Sequence, residues 1–135
     1  MRTAKFSVIR QTAVVAASPS KVFEAYVDPE KHGAFTGSPA TGSPKVGGRF
    51  TAWDGYISGK FTELVRGKKI VHEWKTTEWP PGYPPSVVEL TLAPRGKGTQ
   101  LTMVHSKVPT KQVEEYTQGW IEFYWEPMKK YFKKT

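Results

Sequence analysis

The stretch Val113-Glu114-Glu115-Tyr116-Thr117-Gln118-Gly119-Trp120-Ile121-Glu122-Phe123-Tyr124-Trp125-Glu126-Pro127-Met128-Lys129-Lys130-Tyr131-Phe132 decides the fold. Val113, Tyr116, Trp120, Tyr124, Met128 and Tyr131 recur at spacings of three and four. That pattern predicts one long helix with a broad apolar stripe, and the stripe must be buried against another layer. Thr110 is placed to cap its start. Pro127 lies within the run, where it removes a hydrogen bond and clashes with the carbonyl of Phe123. A kink near Phe123, or two helical pieces, is therefore expected. Lys129, Lys130, Lys133 and Lys134 close the run, where cations favour the negative end of the helix dipole.

Working upstream, the sequence supplies the other layer. Thr99–Lys107, Ser86–Ala93, Lys69–Thr77, Tyr56–Val65 and Arg49–Trp53 read as strands separated by turn residues. Asp54-Gly55 marks a hairpin. Ile70, His72 and Trp74 share one parity, as do Val88, Leu90 and Leu92, and Leu101, Met103 and His105. The other parity carries Glu73, Lys75, Glu89, Thr91 and Thr102, which predicts an antiparallel sheet with one dry face. The Pro-rich run from Trp79 to Pro85 cannot pair as a central strand.

Nearer the start, Lys5–Ala16 is a β-branched strand, with Phe6, Val8, Gln11 and Val14 alternating imperfectly. Ser18-Pro19-Ser20 opens a helix carrying Val22, Phe23, Tyr26 and Val27. Asp28-Pro29 breaks it, and Pro29–Phe35 adds a short helical turn. Thr36-Gly37-Ser38-Pro39 then recurs as Thr41-Gly42-Ser43-Pro44. This reads as a surface loop, or alternatively as a gate over a cavity.

Length and composition narrow the class. At 135 residues, with 38% hydrophobic and 24% charged residues, residues 1–135 suit one domain able to bury a core without a staple. Five Trp, six Tyr and seven Phe exclude a disordered chain. The absence of Cys excludes disulfides and thiolate chemistry. A net charge of +8 favours polyanions, acidic proteins or anionic membranes without choosing among them. Met1-Arg2-Thr3-Ala4-Lys5 looks like a charged signal start, but Arg10, Gln11 and Thr12 interrupt the apolar stretch that a signal needs. No apolar run has the length of a membrane span. A cytoplasmic protein is expected.

Particular words sharpen this reading. Ala34-Phe35-Thr36-Gly37-Ser38-Pro39-Ala40, Gly47-Gly48-Arg49-Phe50, Asp54-Gly55-Tyr56-Ile57-Ser58-Gly59-Lys60-Phe61 and Ile70-Val71-His72-Glu73-Trp74 occur in this order. Trp79-Pro80, Gly98-Thr99-Gln100-Leu101 and Gly119-Trp120 come after them. Together they resemble the C-terminal domain of the activator of the heat-shock protein 90 ATPase and its single-domain relatives, from about Ser18 to Phe132. The resemblance implies the helix-grip (START-like, SRPBCC) fold. This α+β class has an antiparallel sheet wrapped around a long C-terminal helix, with one or two short helices after the first strand. It also implies a chaperone of the heat-shock protein 90 type as partner.

Candidate sites follow from the strand parity and the helical stripe. Trp53, Phe61, His72, Trp74, Met103, His105, Trp120 and Tyr124 either line a ligand cavity between sheet and helix or fill an ordinary core. His72 and His105 are candidate ligand or proton-transfer groups, or else buried hydrogen-bonded histidines. His32, in a polar turn, is expected in solvent. The three His have no metal-site spacing, so neither a metal nor another cofactor is expected. Glu63 shares parity with Ile57 and Phe61 and is the one carboxylate to watch. Ser58 lacks the nucleophile-elbow spacing, and Gly47-Gly48 lacks that of a phosphate loop. Catalysis is not expected, with a cyclase or hydrolase as the remote alternative. Lys60, Arg66, Lys68 and Lys69, with Arg95 and Lys97, form either a solvated surface or a docking site for an acidic partner. No nucleic-acid-binding motif appears. Two functions therefore compete: a non-enzymatic, co-chaperone-like protein-binding module, and a carrier of a small apolar ligand.

Overall fold

The computed structural model describes residues 5–133. The charged start from Met1 to Ala4 and the final-turn Lys134 lie outside the described residues. Seven strands pair antiparallel: β1 (Phe6–Val15), β2 (Thr41–Gly42), β3 (Arg49–Ala52), β4 (Ile57–Val65), β5 (Lys69–Thr76), β6 (Ser86–Arg95) and β7 (Gly98–Pro109). Their order across the sheet is β1-β7-β6-β5-β4-β3-β2. Between β1 and β2 lie α1 (Pro19–Val27) and α2 (Pro29–Thr36). After β7 comes a 3-10 turn (Thr110–Gln112), then α3 (Val113–Trp120), a π turn (Ile121–Trp125) and α4 (Glu126–Lys133). This is the α+β architecture the alternation and the stripe predict.

Local chemistry fixes the helix ends. The Ser18 side chain accepts from the Lys21 N–H, and Pro19 occupies the first turn. Asp28 acts twice. Its N–H closes α1 on the Glu24 carbonyl at 2.9 Å. Its carboxylate caps α2 through the Glu30 and Lys31 N–H groups at 2.9 and 3.3 Å. Thr110 does not cap as expected. It opens the 3-10 turn instead, and its hydroxyl pairs with that of Ser7 at 2.9 Å.

The expected kink takes the form of the π turn. The Glu126 N–H reaches back to the Ile121 carbonyl, which adds a residue to the turn just before Pro127. The widening has a second effect on the stripe. The π turn buries Tyr124 and Trp125, and past it the buried residues are Met128 and Phe132, whereas Tyr131 is 36% exposed. The stripe continues through Tyr124 and Met128 as predicted and closes on Phe132 instead of Tyr131.

The inner sheet face carries Ile70, Trp74, Val88, Leu90, Leu92, Leu101 and Met103, all buried against the helices. In β1 the inward residues are Ile9, Ala13 and Val15, while Phe6, Val8 and Val14 are exposed. The in–out alternation is unbroken along β1; it reads as imperfect in the sequence because Phe6, Val8 and Val14 lie on the exposed parity and the polar Gln11 on the inward one. Gln11 also faces in. Its amide donates to the Thr117 carbonyl at 2.9 Å and its Oε1 accepts from Trp125 Nε1 at 2.6 Å, tying β1 to the C-terminal helices.

The two copies of the Thr-Gly-Ser-Pro word take different shapes. In the first, Gly37 ends α2 at φ 80°, a left-handed conformation suited to glycine. In the second, Thr41 and Gly42 form the edge strand β2.

Candidate functional site

An apolar cavity of about 390 Å³ opens between the sheet and α3. That volume lies in the range of small-molecule sites. Trp53, Tyr56, Ile57 and Trp74 line it from the sheet; Glu115, Tyr116, Gly119, Trp120, Phe123 and Tyr124 line it from the helix side. The register Ala52↔Ile57 and Ile57↔Thr76 places it at the β3–β4 hairpin end of the sheet. The repeat-bearing loop is not part of its wall, so the gate reading fails. Ala40 and Thr41 instead cover a far smaller hollow of about 10 Å³ beside Tyr26, Phe50 and Phe61.

Four of the eight predicted cavity residues line this space: Trp53, Trp74, Trp120 and Tyr124. Phe61, His72, Met103 and His105 share the inward parity but belong to the packed core. Parity gives the face of a strand, not the position along it. Tyr56, Ile57, Glu115, Tyr116, Gly119 and Phe123 complete the lining without having been predicted there. Glu115, Gly119 and Phe123 succeed one another at four-residue spacing on the helix. A residue without a side chain in the middle of such a row is a signal for a void. Gly119 has room: an added Cβ would meet only Phe123 Cδ2, at 3.9 Å. Gly119→Ala is therefore expected to raise stability by about 0.5–1 kcal/mol through helix propensity. A lower melting midpoint would refute this.

Behind the cavity the histidines fasten helix to sheet. Trp120 Nε1 donates to His105 Nδ1 at 3.0 Å. His105 Nε2 then faces Ser86 Oγ at 2.8 Å, and Ser86 donates to the Trp74 carbonyl at 2.6 Å. The chain is complete with a neutral His105 protonated on Nε2. His72 Nε2 lies 2.8 Å from the Tyr26 hydroxyl, and its Nδ1 lies 2.9 Å from the Glu73 carbonyl. Burial pushes His72 down to about 4 and His105 down to about 3. His32 contradicts its expected solvation. It is 5% exposed, with Nδ1 2.8 Å from the Tyr26 carbonyl and Nε2 2.9 Å from the Tyr124 hydroxyl. The short turn expected from Pro29 closes fully as α2 and carries His32 inward. These neutral, mutually satisfied histidines read as structural fasteners rather than proton-transfer groups.

Glu63 also moves from its expected place. A shift in register between Phe61 and Glu63 turns its side chain outward, where it pairs with Lys69 at 3.4 Å. Among the described residues, no group of three or more His, Asp or Glu is arranged to hold a metal ion.

The basic residues divide into two places. Arg66 and Lys68 lie in the β4–β5 turn with Lys69 opening β5, and Arg95 closes β6 beside Lys97 in the β6–β7 turn. The register Val65↔Lys69 and Lys69↔Thr91 sets both turns at the end of the sheet away from the cavity. Eight residues of β5 separate the two ends, a distance of about 24 Å. Arg66 pairs with Glu24, which also binds Lys31 at 3.0 Å. Lys68, Arg95 and Lys97 are exposed at the surface. Lys60 lies elsewhere, on β4 opposite Arg49, so it does not join the turn cluster.

Comparison with known proteins places these features in context. Residues 16–133 match the model of the family described as Activator of Hsp90 ATPase homolog 1-like protein. The human Activator of 90 kDa heat shock protein ATPase homolog 1 is 36% identical over 115 residues, covering 85% of this chain and 34% of that protein. The Dictyostelium discoideum Activator of 90 kDa heat shock protein ATPase homolog is 33% identical over 104 residues, 76% of this chain and 27% of that protein. The chain thus spans about a third or less of the length of these curated relatives. The crystal structure of an HSP90 activator from Plasmodium falciparum superposes with a TM-score of 0.78 at 27% identity, covering 87% of this chain and 89% of that one.

Proposed function

Because the chain belongs to the Activator of Hsp90 ATPase homolog 1-like family, we propose that it is a non-enzymatic, cytoplasmic binding module that docks on a 90-kDa heat-shock chaperone. The observation that carries this reading is the convergence of Arg66, Lys68, Lys69, Arg95 and Lys97 at one end of the sheet. Among the described residues, the carboxylates paired with these cations are Glu24, with Arg66, and Glu63, with Lys69. Such a surface suits an acidic partner, where its charges accelerate encounter and fix orientation. No helix among the described residues is long and apolar enough to cross a membrane.

Calorimetric titration against the chaperone tests this. Wild-type affinity should fall as salt rises from about 50 to 200 mM. Reversing Lys68, Arg95 and Lys97 to Glu should weaken binding about ten-fold at low salt and flatten the salt dependence. Unchanged affinity in the triple variant would refute the placement of the contact.

A second reading has its own support. The aromatic cavity at the opposite end is large enough for a small apolar ligand and lies outside the basic cluster. The two activities can coexist in one molecule, since their surfaces sit at opposite ends of the sheet.

A further inference from the structure

On the outer side of the C-terminal helices, Glu122, Glu126, Lys129 and Lys133 follow one another at spacings of four, three and four. Reversing the direction of the chain and the sign of each charge returns the same pattern. All four residues are exposed, and their spacing sets them in one stripe along the helix. Among the described residues, neither these four nor Lys130 has an ion pair. An apolar stripe at four-residue spacing runs beside them: Phe123 is 50% exposed, Pro127 is half-buried and Tyr131 is 36% exposed.

Within one chain this stripe is unfavourable. Glu122 and Glu126 are like charges at i and i+4, as are Lys129 and Lys133, and such pairs destabilise a helix. The helix dipole favours Lys133 in the last turn, but it does not reach Glu122 and Glu126, which lie more than two turns beyond Val113. A second copy laid antiparallel on this face supplies what each half lacks. In a two-fold contact the same patch of both chains meets, and residue i faces j as j faces i. With the axis between Glu126 and Lys129, Glu126 faces Lys129 of the second copy and Glu122 faces its Lys133. The same axis brings Phe123 of each chain toward Tyr131 of the other and Pro127 toward its counterpart. We propose that two copies of the chain associate through this face, antiparallel about a two-fold axis, with charge pairs flanking an apolar seam. One short helix face buries much less than the roughly 1,600 Å² of a standard interface, so the dimer is weak, with a Kd of about 10–100 μM.

Sedimentation velocity of the full chain at about 150 mM NaCl tests this, since screening there confines the repulsion between two chains of charge +8 to roughly 8 Å. Between about 5 and 500 μM the wild type should pass from monomer to dimer and go no further. Two variants each reverse one half of the stripe: Glu122→Lys with Glu126→Lys, and Lys129→Glu with Lys133→Glu. All four sites are exposed, and near-ultraviolet dichroism confirms the fold of each variant. Either variant alone should associate at least about ten-fold more weakly than wild type. An equimolar mixture restores opposite charges at every pair, at the same total charge as two wild-type chains, and should recover the dimer to within about three-fold. A wild type that stays monomeric throughout, as it would if this face served a different chain, would overturn the proposal. So would undiminished association of both variants, or a mixture that associates no better than its parts. Growth beyond the dimer would overturn the two-fold arrangement.

Discussion

Trp120→Ala is expected to lose about 3–5 kcal/mol of stability, the range for truncating a large aromatic in a core. Trp120 is 2% exposed and packs its ring against Trp74, Tyr124 and Trp125 at 5.8, 4.8 and 5.3 Å. It also donates the indole N–H that satisfies His105 Nδ1. Truncation removes both, and leaves His105 with an unpaired buried acceptor, itself worth about 1–3 kcal/mol. The new void adjoins a cavity that already exists, so water can enter it and the outcome should sit at the lower half of the range. Small domains hold about 5–15 kcal/mol in total, so the variant should unfold at markedly lower urea. Trp120→Phe keeps much of the packing and loses the N–H, and should cost about 1–3 kcal/mol. A loss under about 1 kcal/mol for the alanine variant would mean that the helix is not clasped at this point.

Acid should destabilise the protein well above the range where carboxylates titrate. His72 is pushed down to about 4 and His105 down to about 3, from an ordinary value of 6.5, because burial penalises their charged forms. His32 is lowered for the same reason. In the unfolded chain these groups take up protons below pH 6.5, and in the folded chain they do not. The unfolded state therefore binds more protons, and stability falls as the pH drops. The contribution is complete above pH 6.5 and is lost on descending toward 3–4. At about pH 4.5, His72 and His105 should each have removed about 2–3 kcal/mol. Glu24, lowered by its pairing with Lys31 and Arg66, acts only below its ordinary 4.5. Urea titrations at about pH 7 and pH 4.5 should thus differ by about 5 kcal/mol. Agreement within about 1 kcal/mol would show that the histidines are charged or exposed in the folded state.

The sequence makes the architecture readable because two periodicities agree. The inward parity of β5, β6 and β7 and the stripe of α3 each demand a buried partner, and each is the other's only large dry surface. Pro127 announces the break in the helix as well. What escapes is the consequence of a single added residue. The π turn hands the stripe from Tyr131 to Phe132, and the register shift after Phe61 sends Glu63 outward. Neither insertion leaves a mark in composition or spacing. The site is half legible for a related reason. Trp74, Met103 and His105 look alike by parity, yet only Trp74 lines the open end of the sheet, and depth along a strand is set by how the helix crosses it. His32 is hidden by its polar neighbours, since burial there depends on α2 folding back onto Tyr124.

The two ends of the sheet make different claims, and one spectrum can separate them. Amide resonances of the nitrogen-15-labelled chain, monitored during titration with a 90-kDa heat-shock chaperone, report where the partner sits. The amides of the turns at Arg66–Lys69 and Arg95–Gly98 should shift or broaden first, and added salt should reverse the effect. Perturbation centred on Trp53, Gly119 and Phe123, with the basic turns unmoved, would contradict the proposed docking surface.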